Sequence, residues 1–297
     1  MSGKLSILIP ARNEEFLQQT IDDINKHKET DLEILIGIDN KPIGQRAMTN
    51  ELARKAKGEY LLKCDAHISF SQGFDRELLE AMNQATVAVP ALCNLYAYDW
   101  ICDHGHRKPN EQFENYEKCE QCGGGVKKQI VWQPIPRPIM SNYYFDTNLH
   151  FQYHPIQQEE KITETMTIQG SCFVISKDNY WDLEICDEKF GSWGQQGVEV
   201  ACKVWLSGGR VITTRNAFYA HWFRLFPYKN LTEEILKTQQ YSKDIFFNNK
   251  WPKQKHPLSW LINKFKPLPD WHEESGKEKL LYQFESGLKW EKQYIKS

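Results

Sequence analysis

The chain lacks the two glycine signatures that most often mark a nucleotide site. No G-x-G-x-x-G follows the first apolar segment, and no G-x-x-x-x-G-K-[ST] occurs anywhere, which argues against a Rossmann dinucleotide enzyme and a P-loop kinase. Long hydrophobic runs are also missing: nothing approaches the roughly 20 apolar residues that span a bilayer. The apolar stretch at 5–10 is too short for a signal-peptide core. A cytoplasmic location with no membrane partner is therefore expected. Neither charge sign dominates. Lys and Arg number 37 against 39 Asp and Glu, a formal net charge of −2, so no global field draws the chain to nucleic acid, although a local basic groove stays open. Internal repeats are absent too.

What is present is ordinary globular material. With 40% hydrophobic and 26% charged residues over 297 positions, the chain can build one large α/β domain, or one domain with an appendage. Apolar segments at 5–10, 33–38, 59–64 and 85–90 alternate with helix-patterned stretches at about 14–27, 44–56 and 75–84. This pattern predicts a mostly parallel sheet with helices on both faces. Ligands of such sheets sit at the carboxyl ends of strands. Pro10 to Glu14, Asp39 and Asp65 all fall there, so three separate polar segments converge on one crevice suited to a nucleotide.

Asp65-Ala66-His67 closes the third strand. Side chains alternate along extended backbone, so Asp65 and His67 point the same way. With a third ligand from His221 of His221-Trp222-Phe223-Arg224, one carboxylate and two imidazoles suit Mn²⁺ (or Mg²⁺) better than Ca²⁺ and leave positions for a diphosphate. The plain alternative is a turn aspartate and two ordinary polar histidines.

Eight cysteines in a cytoplasmic chain read as buried thiols or metal ligands rather than disulfides. Cys102, His106, Cys119 and Cys122 have the spacing C-x₃-H-x₁₂-C-x₂-C, with Gly123 to Gly125 following at once. That is the pattern of a structural Zn²⁺ site, and the polar span between the pairs would draw its folding energy from the metal. His104 could replace His106, and a loop with incidental thiols is the other reading. The insertion is placed at 91–145. Beyond it, a strand is expected at 167–176, a helix from about 177, another at 196–207, and a strand from Arg210 toward His221. The main domain then covers 1–228. Residues 229–297 form a helical, aromatic-rich extension, a packed tail or a lid.

The opening Ser6-Ile7-Leu8-Ile9-Pro10-Ala11-Arg12-Asn13-Glu14-Glu15, and the run from Arg46 through Ala56-Lys57-Gly58-Glu59-Tyr60 into Asp65-Ala66-His67, resemble family-2-like glycosyltransferases of the GT-A fold. Trp193-Gly194-Gln195-Gln196-Gly197-Val198-Glu199 and His221-Trp222-Phe223-Arg224 are similar to blocks of the polypeptide N-acetylgalactosaminyltransferases. The likeness covers roughly 5–90 and 165–228. The cysteine-bearing insertion is similar to that of phage-encoded glycosyltransferases.

The resemblance implies a GT-A fold and a nucleotide-sugar donor, with a UDP-sugar expected. Mn²⁺ on Asp65, His67 and His221 would neutralise the leaving diphosphate, and Arg224 would contact the same phosphates. Pro10, Arg12, Glu14 and Asp39 would line the base and ribose pocket, with Arg46 near base or phosphate and Tyr228 near a lid. Glu14 equally suits a helix N-terminus, and Arg46 a solvated helix face. One departure matters: the family's glutamate in the tryptophan-glycine-glycine block is Gln196 here. Inversion needs a base, whereas front-face retention lets the departing phosphate take the proton, so retention is expected. Glu199 is the nearest remaining candidate base, with Asp187 and Glu188 further out, though Glu199 also suits a helix face.

The favoured acceptor is a hydroxymethylated pyrimidine in phage DNA. The basic stretches Arg107-Lys108, Lys127-Lys128, Lys250 to Lys255 and Lys264 to Lys266 would form its phosphate track. A protein or glycan hydroxyl, a non-catalytic adaptor and a nucleotidyltransferase are the competing readings.

Overall fold

The computed structural model describes residues 5–110, 116–223 and 231–271. Arg224 and Tyr228 lie outside them. The first half alternates as expected: β1 (Leu5–Ala11), α1 (Leu17–His27), β2 (Leu32–Ile38), α2 (Gln45–Lys55) and β3 (Tyr60–Cys64), then β4 (Ile68–Phe70) and α3 (Phe74–Ala81). Next come β5 (Val87–Cys102), β6 (Arg107–Pro109), β7 (Val126–Met140), β8 (Tyr143–Phe145), β9 (Phe151–Tyr153) and β10 (Ile162–Glu164). The chain continues through β11 (Cys172–Ser176), α4 (Lys177–Asp182), α5 (Gln196–Leu206), β12 (Val211–His221), α6 (Leu231–Phe247) and α7 (Leu258–Phe265).

The central sheet runs β10-β12-β5-β11-β3-β1-β2. β2, β1 and β3 are mutually parallel, as are β5 and β12, while β11 lies antiparallel between β3 and β5. The largely parallel sheet is thus present, with β11 reversed inside it and β10 reversed at its edge, which no apolar pattern could have distinguished. Buried side chains form one cluster on the α1 and α3 face, with Ile7, Ile9, Phe70 and Phe74. Another, with Phe173, Trp205 and Leu261, lies on the α5 face.

Two expected boundaries move. The strand placed at 85–90 continues to Cys102, because Ala91, Leu92, Cys93, Leu95 and Ala97 keep it buried. β7 returns alongside it, so the insertion is a long hairpin rooted in the sheet rather than a separate module. In the 167–176 segment only Cys172–Ser176 is strand. Gly170 explains the interruption: a Cβ there would fall 3.0 Å from the Gly197 nitrogen, so the segment is pressed against the start of α5. The described part of the C-terminal extension is helical and packs on the domain, with Trp251, Leu258 and Leu261 buried in the same cluster as α5.

Candidate metal and nucleotide site

Asp65 follows β3 directly, and its backbone amide donates to Ser171 O at 2.9 Å. β12 pairs with β4 so that His221 lies opposite Ile68, beside His67. The ligand atoms of Asp65, His67 and His221 all lie within 4.8 Å of one another. His221 Nε2 is 3.3 Å from Asp65 Oδ2.

The donor set fits a divalent ion. His67 is buried, its Nδ1 held by Glu14 Oε2 at 3.0 Å, while its Nε2 has no hydrogen-bond partner. A buried imidazole nitrogen left unpaired is costly, and a carboxylate on the far nitrogen is the usual support of a metal-binding histidine. Burial alone would raise the Asp65 carboxyl, but the Lys63 ammonium at 2.5 Å and a hydrogen bond from His221 hold it well below the usual range. Burial pushes His221 down to about 4 against the pull of Asp65, so its ring stays neutral at physiological pH. Asp65 Oδ1 accepts from Lys63 and from Gln45 Nε2 at 3.1 Å, leaving Oδ2 toward His221.

Asp65, Gln45 and Trp193 are shared by two adjoining cavities. The first is lined by Pro10, Arg12, Glu14, Asp39 and Glu234, so four residues expected at the nucleotide do meet there. Asp39 accepts from the amides of Ile43 and Gly44, which shapes the turn into α2. The second holds Gln169, Ser171, Gln195 and Gln196, and Asp65 is its one carboxylate among the described residues. Gln195 sits at φ 55°, straight after Gly194 at φ 92°, and the turn delivers both glutamines to the cavity. Each has a buried side-chain oxygen without a partner.

Three sequence expectations are corrected. Arg46 lines neither cavity among the described residues: it is buried, and its guanidinium donates to Glu199 Oε2 at 2.9 Å and to the carbonyls of Gly191 and Gly194. Glu199 is not a water-facing helix residue, nor placed as a base. It is fully buried, accepting from Arg46, Lys203 and the Asp187 amide. Together they anchor the loop that carries Trp193. Asp187 caps a short turn at Lys189, and Glu188 pairs with Asn50, so neither lines the cleft among the described residues. Sequence reasoning also missed Lys63, Gln45 and Glu234. Lys63 left a signal, a lone cation inside an apolar strand, which needs a buried partner.

At the hairpin tip Cys102, His106, Cys119 and Cys122 converge within 4.8 Å, and it is His106, not His104, that joins them. Cys102 Sγ and Cys119 Sγ each lie 3.5 Å from His106 Nδ1, and Cys122 Sγ lies 3.7 Å from Cys102 Sγ. Four ligands around a Zn–S bond of about 2.3 Å stand about 3.8 Å apart, so these separations suit a tetrahedral ion. Burial opposes ionisation of Cys119, but amide donors of Gln121 and Cys122, with Cys122 and His106 side chains, bring it down to about 6. That favours the thiolate a metal takes.

Five lysines of the basic stretches face carboxylates. Lys108 faces Glu120, Lys128 faces Glu15, Lys250 faces Asp244, Lys253 faces Glu184 and Lys264 faces Glu164. Among the described residues no helix is long and apolar enough to cross a membrane.

Comparison with known proteins bears on the fold. No protein-family model matches the chain. It is 27% identical over 188 residues to the putative polypeptide N-acetylgalactosaminyltransferase 9 of Drosophila melanogaster, covering 60% of this chain and 24% of that protein. Human polypeptide N-acetylgalactosaminyltransferase 13 is 22% identical over 218 residues, 72% of this chain and 34% of the relative. The chain therefore spans only about a quarter to a third of these relatives. Among solved structures, GalNAc-T7 with UDP, GalNAc and Mn²⁺ superposes with a TM-score of 0.59 at 15% identity, over 83% of this chain and 48% of that one. The chain has the GT-A fold, and its sequence relatives are glycosyltransferases.

Proposed function

We propose that this GT-A-fold chain is a metal-dependent, retaining glycosyltransferase that uses a nucleoside diphosphate sugar, with UDP as the expected carrier. The observation that carries this reading is the unpaired Nε2 of buried His67, beside Asp65 and His221, where two cavities meet. GalNAc-T7 was solved with UDP and Mn²⁺. Asp65, His67 and His221 would hold Mn²⁺, and the bound ion would neutralise charge developing on the diphosphate. The first cavity takes the nucleotide: Asp39 and Glu14 offer acceptors to ribose and base, and Arg12 brings a cation to its wall. The second takes the sugar, whose hydroxyls meet a wall that carries Gln169, Gln195 and Gln196.

The lining of that second cavity supports retention. Glutamines cannot remove a proton from the acceptor, and Glu199 is committed to Arg46 and Lys203. Front-face attack needs no protein base, because the departing phosphate oxygen receives the acceptor's proton. Proton NMR of the product should show the anomeric coupling of the donor; an inverted coupling would refute this.

For the acceptor, the relatives' names favour a polypeptide hydroxyl, while hydroxymethylated DNA has less support because five lysines of its expected phosphate track face carboxylates. Mass spectrometry of peptides, glycans and hydroxymethylated DNA incubated with a panel of nucleotide sugars and Mn²⁺ tests both. Sugar should appear on peptide; sugar on DNA alone would reverse the assignment, and none consumed would sink the enzyme reading.

The hairpin tip is proposed as a structural Zn²⁺ site. The Cys119→Ser/Cys122→Ser variant should lose about one zinc per chain by elemental analysis; unchanged zinc would refute the site.

A further inference from the structure

We infer that Lys128, on the hairpin strand β7, is a positioning residue for the ion site, bracing the segment that orients His67. The inference rests on the reading of Asp65, His67 and His221 as ion ligands. Lys128 Nζ stands over four aromatic rings: Tyr98 at 4.7 Å, Phe16 and Trp100 at 5.5 Å, and Trp222 at 6.0 Å. It also pairs with Glu15 Oε2 at 2.5 Å. A cation enclosed in this way binds its aromatic walls together rather than reaching for a solvent phosphate.

Two walls belong to the ion site's own supports. Phe16 is two residues beyond Glu14, whose carboxylate fixes the His67 ring, and Glu15 lies between them. Trp222 follows His221 and donates its backbone amide to His67 O at 3.1 Å. Phe16 meets Trp222 edge-on at 4.8 Å. The other two walls, Tyr98 and Trp100, come from β5, and Trp100 lies opposite Lys128 two rungs from Cys102 of the hairpin tip. Lys128 therefore ties the cysteine-bearing hairpin to both histidine ligands through one small box.

The test is Mn²⁺ binding by the full chain, read as loss of the free-ion signal in electron paramagnetic resonance. K128M should raise the Mn²⁺ Kd about fivefold, less than the roughly 10–100-fold typical of a residue bonded directly to a ligand. K128R, which keeps the cation over the rings, should bind close to wild type. Unchanged zinc content and near-ultraviolet circular dichroism would show that the hairpin stays folded. Should K128M lose that fold, E15Q, which removes the ion pair and leaves the rings in place, takes its place and should weaken Mn²⁺ binding in the same direction. Wild-type affinity in the folded variant overturns the brace alone. Failure of the wild-type chain itself to bind Mn²⁺ overturns both the brace and the ion site.

Discussion

Asp65→Asn should lower sugar transfer by about three orders of magnitude, on the order of 4 kcal/mol at 1.36 kcal/mol per tenfold. Asn is nearly isosteric but carries no charge, so the ion would lose its anionic ligand while the backbone stays in place. A second consequence separates chemistry from folding. Lys63 is buried with Asp65 Oδ1 at 2.5 Å and Gly170 O at 2.9 Å as its partners. Removing the carboxylate leaves that ammonium without a counter-charge, so the single variant should also melt earlier. Lys63→Met added to Asp65→Asn should recover melting temperature and leave transfer absent. If the double variant regained activity, Asp65 would be serving only as a partner for Lys63. Thermal denaturation beside a donor-turnover assay reads both.

The second large effect is on stability. Glu199→Ala removes the carboxylate shared by two buried cations, Arg46 and Lys203, which are 1% and 0% exposed, and leaves Lys203, among carboxylates, only the more distant Asp187 Oδ2 at 3.6 Å. Removing one partner of a buried ionic network costs about 3–5 kcal/mol, a drop of roughly 10 °C in a chain of this size. Because Arg46 also holds the carbonyls of Gly191 and Gly194, the Trp193 loop should loosen and donor affinity fall with it. The limbs of the pH–rate profile should not change, since Glu199 transfers no proton in this account. An unchanged melting temperature with one limb of that profile gone would mean that Glu199 is a base after all.

How far the site could be read from the chain depended on where each side chain's partners lie. The strand ends were legible because apolar runs stop at Pro10, Asp39 and Asp65, and topology alone brings those ends together. Asp65 and His67 share a face by strand alternation, and the C-x₃-H-x₁₂-C-x₂-C spacing marked the hairpin tip. Choosing His106 over His104 needed the fold, since both lie within reach along the chain. Arg46 and Glu199 were misread because their bond joins residues 153 positions apart, and nothing local distinguishes a buried helix arginine from a solvated one. β5 was cut short at 90 because tyrosines, an asparagine and an aspartate break its apolar pattern where it leaves the sheet. Glu234 reaches the cleft from α6, beyond every block that the resemblance covered.

The central claim is that the ion at Asp65, His67 and His221 is what makes this cleft hold a nucleotide diphosphate. Calorimetric titration of UDP, with Mn²⁺ and then with all divalent ions removed by chelation, tests it most directly. The account predicts binding that requires the ion and disappears in Asp65→Asn. Equal UDP affinity with and without a divalent ion would contradict it.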